Sequence, residues 1–170
     1  MANRTTTIVM SFTIGAIAMI IIVIFAGIII ANSVNERETF TIDKDWTTIV
    51  NEYRQQNSLG PVKQDYYLNT LAQAKCDDMV ERGYYAHDDP QGKNITDLSL
   101  NKFNVSLKDH WWGENIMQGT VLTSSEAINY WYNSEGHRKN ILSPNFTRVG
   151  HAKCYSGGGY TMVEVFTDEY

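Results

Sequence analysis

Three residues in this chain have side chains suited to chemistry and stand where apolar packing does not account for them. His87 opens a loop in YYAHDDPQG, Glu114 lies in WWGENI, and His137 lies in WYNSEGHRKNILSPNFTRVGH. Imidazole and carboxylate serve acid–base work and metal ligation. Glu114, between a glycine and an asparagine beside two tryptophans, is expected to be partly buried. A buried carboxylate needs a cation, a metal or several donors. His137 stands between the end of an amphipathic run and a following strand. That placement would either aim it into a cleft or let it cap the preceding helix as an imidazolium. Gly136 is read as the helix breaker that lets His137 leave the axis.

The elements that must position these residues are legible from periodicity. Asp45 precedes Trp46, Ile49, Val50 and Tyr53, an i, i+3, i+4, i+7 set that predicts a helix to about Gln56, with Asn51 and Arg54 on its polar side. A second helix starts near Asp65, carries Leu68, Leu71, Ala72, Cys76, Met79 and Val80 on one stripe, and stops at Arg82-Gly83. Ile95, Leu98 and Phe103 predict a short third helix, interrupted by Asn101 and Asn104. Thr123-Ser124-Ser125-Glu126 reads as a capping box, which makes Glu126 structural. It opens a helix that carries Ala127, Ile128 and Trp131. Residues 146–154 and 160–166 read as strands joined across Tyr155-Ser156-Gly157-Gly158-Gly159. That glycine run lacks the lysine and following helix of a phosphate loop.

The 170-residue chain carries a formal charge of -5, which leaves no basic footprint for nucleic acid. Residues 8–31 are apolar apart from small and hydroxyl residues, enough to span a bilayer as a helix. Their length favours an uncleaved anchor over a secretory signal, although Ala31-Asn32-Ser33 would serve as a weak cleavage site. Arg4 on one flank, against Glu36, Arg37 and Glu38 on the other, places residues 1–7 in the cytoplasm. Residues 32–43 then form a tether, and 44–170 an extracellular domain. An oxidising exterior permits Cys76 and Cys154 to pair across a long loop, and two separate buried thiols are the alternative.

From about Thr47 to Phe166 the chain resembles the CAP superfamily, the SCP-like or cysteine-rich secretory protein domains, in its short bacterial-type form. IVNEYR, LAQAKCDDMVERGYYAHDDPQGKN, GENI and WYNSEGHRKNILSPNFTRVG carry the resemblance. It implies an α+β fold, an α-β-α sandwich around a small, mostly antiparallel sheet. It also implies a cleft of two histidines and two acids that in some members holds a divalent metal such as zinc. His87, Glu114 and His137 match three of those positions. The second acid falls at Ser134 in the animal-type pattern, and the adjacent Glu135 is the nearest carboxylate.

Two imidazoles and a carboxylate suit zinc with water in an open position, and such water is a potential nucleophile. The other outcome is a hydrogen-bonded cluster tying two loops to the sheet. No HExxH motif or serine or cysteine triad is evident. The expected function is a membrane-anchored binding module for a lipid, glycan or cell-envelope ligand. The alternatives are a metal-dependent hydrolase of peptide or cell-wall substrate, with Glu135 as general base, and a structural interaction domain at the cell surface.

Overall fold

Asp45 does what its position before an apolar set predicts: its side chain accepts from the Thr48 amide and starts α1, Trp46–Gln56. The computed structural model describes residues 45–120, 123–155 and 157–169. The expected cytoplasmic segment 1–7, membrane span 8–31 and tether 32–43 precede these, so all three lie outside the described residues. Among the described residues no helix is long and apolar enough to cross a membrane.

After α1 come β1 (Lys63–Gln64), α2 (Tyr66–Arg82), α3 (Ile95–Phe103), β2 (Trp112–Gly119), α4 (Ser124–Asn133), α5 (Glu135–Ile141), β3 (Arg148–Tyr155) and β4 (Tyr160–Thr167). Local chemistry sets most of the ends. Asp65 caps α2, and Gly83 closes it in the left-handed region. Asn94 and Asp97 form a capping box on α3, and Asn104 ends it left-handed, while Asn101 is accommodated within the helix. Thr123 and Glu126 form the expected box on α4. The helix break falls elsewhere than expected. Ser134, extended at φ -93 and ψ 124, separates α4 from α5, whereas Gly136 and His137 lie inside α5. His137 is therefore a helical residue held at one face of α5.

The sheet has the order β1-β3-β4-β2. β1 pairs parallel with β3, while β3–β4 and β4–β2 are antiparallel, so the sheet is mostly antiparallel as the resemblance implies. β1 and β2 escape a periodicity reading because β1 has two residues and the buried part of β2 carries a glutamate and an asparagine. On one side of the sheet α1, α4 and α5 pack Val50, Ile128, Trp131 and Ile141 against Val149, Met162 and Phe166. On the other, α2 and α3 pack Leu68, Leu71, Met79 and Ile95 against Ile116, Val163 and Val165. Helix α2 sits directly on β3, where a Cβ on Gly150 would lie 2.2 Å from the Leu68 carbonyl carbon. Only glycine permits that approach.

Two sets of bonds tie the layers together. Cys76 of α2 is joined to Cys154 of β3, 78 residues away, so the expected pairing holds. Arg54, expected on the polar side of α1, is instead only 2% exposed. Its guanidinium donates to the carbonyls of Gly60, Ile141, Ser143 and Phe146. Five donors in a rigid fork suit such a knot of turn carbonyls, and the knot holds the end of α5 to the start of β3.

A disulfide closing a loop of this length stabilises by about 4 kcal/mol in the chain-entropy model. Cys76→Ser with Cys154→Ser is expected to lower the unfolding free energy by about that amount. Denaturant melts compared with the reduced wild type check it, and equal midpoints for oxidised and reduced protein would contradict it.

Candidate functional site

Strand β2 is an edge strand, and its alternation sends neighbouring residues into opposite layers. Glu114 lies opposite Val165, on the α2 side, and Asn115 lies opposite Glu164, on the α5 side. Each finds its partners there. His87 Nδ1, from the loop after α2, donates to Glu114 Oε1 at 2.6 Å; the His87 side chain is 56% exposed and that of Glu114 only 3%. The Glu114 bond raises the His87 pKa above its ordinary value against desolvation by burial. Of the cation, metal or donors expected for the buried acid, the structure shows the His87 donor, with the Lys75 ammonium, only 2% exposed itself, behind it. Lys75 Nζ donates to the His87 carbonyl at 2.6 Å and to Tyr84 Oη at 3.3 Å. Burial lowers its pKa, and Glu114 is the largest of the charges opposing that shift. Tyr84 donates in turn to Asp78 at 2.6 Å, so a chain of polar contacts reaches from α2 to His87.

The α5 side is built around Asn115, which is fully buried. Its amide donates to Glu164 Oε2 at 2.8 Å and to the His137 carbonyl at 3.4 Å, and its Oδ1 accepts from Asn140 Nδ2 at 2.8 Å. Asn140 also donates to the Glu114 carbonyl. It lies so close that a Cβ on Gly113 would meet its Oδ1 at 2.8 Å. All of GEN is thereby accounted for: glycine for clearance, glutamate for His87, asparagine for α5. The His137 ring lies 6.4 Å from Tyr130 and 6.5 Å from Trp131, centroid to centroid. Burial first, and His87 second, lower the His137 pKa.

The structure thus brings His87 and Glu114 into contact and sets His137 close enough to sense His87. It does not bring Glu135 to them. The Glu135 side chain is 75% exposed and paired with Lys139 at 2.8 Å on the surface of α5, where it has no path to a general-base role. Among the described residues no three histidine, cysteine or acidic side chains are grouped so as to hold a metal ion. Glu114 Oε1 is committed to His87 instead. Two buried atoms of the cluster, Glu114 Oε2 and His137 Nδ1, have no hydrogen-bond partner among the described residues.

The chain belongs to the cysteine-rich secretory protein family. The family model matches residues 47–170. The uncharacterized protein YkwD of Bacillus subtilis is 39% identical over 120 residues, covering 71% of this chain and 45% of that protein. The uncharacterized membrane protein YlbC of the same organism is 29% identical over 110 residues, covering 65% of this chain and 31% of its own. The chain thus spans less than half the length of these relatives. Among solved structures, an extracellular SCP-domain protein from Bacillus anthracis superposes with a TM-score of 0.61 at 28% identity, covering 74% of this chain and 40% of its own. An outer surface protein from Borrelia burgdorferi gives 0.61 at 16% identity, covering 74% and 90%, which shows the shared fold.

Sequence reasoning did not reach Lys75, Asn140, Glu164 or His151 of this CAP domain. Lys75 had a signal, a cation inside the apolar stripe between Ala72 and Cys76. Glu164 and His151 sit opposite each other on β4 and β3 and become neighbours only through strand register. Their Oε1 and Nδ1 atoms are 3.5 Å apart, with side chains 0% and 4% exposed. Burial pushes Glu164 up to about 8 against its bond from Asn115, and it pushes His151 down to about 3. We take both groups as neutral, since full burial disfavours each charge and 3.5 Å is long for a strong ionic hydrogen bond.

Two measurements follow from these geometries. Because the Glu114 bond is the main cause of the raised His87 pKa, Glu114→Gln should bring it down toward the ordinary imidazole value in an NMR titration. An unchanged value would show that the pair is not formed in solution. For Glu164, an unfolded chain releases the proton above roughly pH 4.3, whereas the folded chain keeps it to about 8. Stability from this group therefore falls as pH rises through that window. Glu164→Gln removes the loss, so thermal melts should favour the variant over wild type more at pH 8 than at pH 5. A pH-independent difference would mean that Glu164 is ionised in the fold.

Proposed function

We propose that this CAP domain is an extracellular binding module that holds a ligand of the cell envelope at the β2 edge, between His87, Glu114 and His137. The observation that carries this reading is the unfinished cluster itself. A half-exposed histidine stands beside two buried polar atoms without partners among the described residues, and buried polar groups are ordinarily satisfied. A ligand or an ordered water would complete them. The Cys76–Cys154 bond suits an oxidising compartment. The relative from Bacillus anthracis described as extracellular and the apolar run at residues 8–31 support display on the outer face of a membrane.

A divalent metal such as zinc would take His87 and His137 with their neutral imidazoles, leaving Glu114 to orient His87 through Nδ1. That arrangement supplies two ligands, one fewer than the three protein ligands that a catalytic zinc site with an open water position ordinarily has. The binding reading is therefore favoured over a metal-dependent hydrolase.

Co-sedimentation tests the reading, with purified cell-wall sacculi in one arm and anionic phospholipid vesicles in the other, each with zinc and with a chelator. The wild type is expected to pellet with one of the two particles. Glu114→Gln and His137→Ala should weaken that binding by about tenfold, the typical loss when a buried polar contact is removed. Equal pelleting of wild type and both variants would remove the β2 edge as the binding site. Loss of binding with the chelator alone would make a metal part of it.

A further inference from the structure

Beside the polar cluster stand two exposed tyrosine rings. Tyr85 is 47% exposed and Tyr130 is 56% exposed. Tyr85 Oη donates to the Ile116 carbonyl on the outer edge of β2 at 3.1 Å, which pins the ring over the strand. Tyr130 stands on α4, one residue before Trp131. It also flanks the His137 ring. Trp131, its neighbour on α4, donates from Nε1 to the same Ile116 carbonyl at 3.2 Å. The cluster is therefore bordered by two exposed aromatic rings, Tyr85 pinned to β2 and Tyr130 beside His137, a surface with one apolar and one hydrogen-bonding side.

The surroundings narrow the ligand class. An acyl chain needs an enclosed apolar cavity, whereas this cluster lies open at the sheet edge. A quaternary ammonium suits an aromatic cage, yet the cluster already holds a cation, the Lys75 ammonium on the His87 carbonyl. Nucleobases also stack on such rings, but a chain of net charge -5 repels a polyphosphate backbone. An extended peptide would add a strand to β2. The outward carbonyls it needs are already taken, that of Glu114 by Asn140 and that of Ile116 by Tyr85 and Trp131.

We infer that the ligand at this edge is a saccharide, stacked on the rings of Tyr85 and Tyr130 and hydrogen-bonded through its hydroxyls to His87, Glu114 and His137. A pyranose has a face of C–H bonds whose partial positive charge meets the electron-rich face of an aromatic ring. Its hydroxyls, each donor and acceptor at once, match Glu114 Oε2 as an acceptor and His137 Nδ1 in either tautomer. The inference rests on the reading of the cluster as a ligand site and names what that site takes.

The test uses the full chain and a β-1,4-linked tetramer of N-acetylglucosamine, with binding followed by calorimetry and by NMR of the tyrosine rings. The tetramer is expected to bind and to shift the Tyr85 and Tyr130 ring signals. Tyr130→Ala should weaken it about three- to tenfold, the range expected for one aromatic stacking contact, while Tyr130→Phe keeps the ring and the affinity. Tyr66→Ala, at an exposed tyrosine on α2 (87% exposed), should change nothing. Binding unaffected by Tyr130→Ala would overturn the inference. So would a chain that pellets with sacculi through His137 and Glu114 yet ignores the tetramer, an outcome that leaves the site itself standing. Failure to bind either the tetramer or sacculi overturns the saccharide and removes the cell wall as the ligand's source.

Discussion

The buried side chain of Asn115 is the point on which the arrangement of this domain turns. A carboxamide has two donors and one acceptor group, and Asn115 uses them on Glu164 of the neighbouring strand, on the His137 carbonyl and on Asn140 of α5. Helix α5 has seven residues, too few to be stable as an isolated helix. It is held by Asn115 along its length and by the Arg54 contacts to Ile141 and Ser143 at its end. His137 inherits its place from those contacts. A polar group buried to this degree stabilises the fold only when every partner is present.

The site exists because an edge strand carries adjacent residues with opposite orientations. Glu114 answers to the α2 layer, through His87 and the Lys75 ammonium, while Asn115 answers to the α5 layer. Neither layer could assemble the cluster alone. The same side chains protect the strand, since Asn140, Tyr85 and Trp131 occupy carbonyls that an exposed edge would otherwise offer to another chain. Protection of the edge and construction of the site are therefore one set of hydrogen bonds, and a change that loosens one loosens the other.

Much of this was legible in the sequence. The spans of α1 and α2, the capping box on α4 and the glycine stop after α2 follow from apolar periodicity and from backbone donors that need side-chain acceptors. His87, Glu114 and His137 were identifiable as polar groups set apart from the apolar stripes. Glycine is a common helix breaker, so the sequence points to Gly136, yet the extended backbone at Ser134 ends α4 and α5 restarts at once. Spacing alone puts Arg54 on a polar face. Its burial is decided by four carbonyls that come from turns as much as 92 residues further along the chain.

What the sequence by itself determined is the set of local structures, because caps, stripes and turns depend on residues within a few positions of one another, and the family, because its motifs are local strings. Which of the candidate residues meet was decided by tertiary structure alone. Glu135 and Glu114 are both glutamates beside a glycine, but the helix surface turns one to solvent and to Lys139, and the pleat of β2 turns the other inward to His87. Glu164 and His151 became a buried pair through the register of β3 on β4. Strand register and layer packing are long-range properties, set by which faces must leave water together, and no window of sequence contains them.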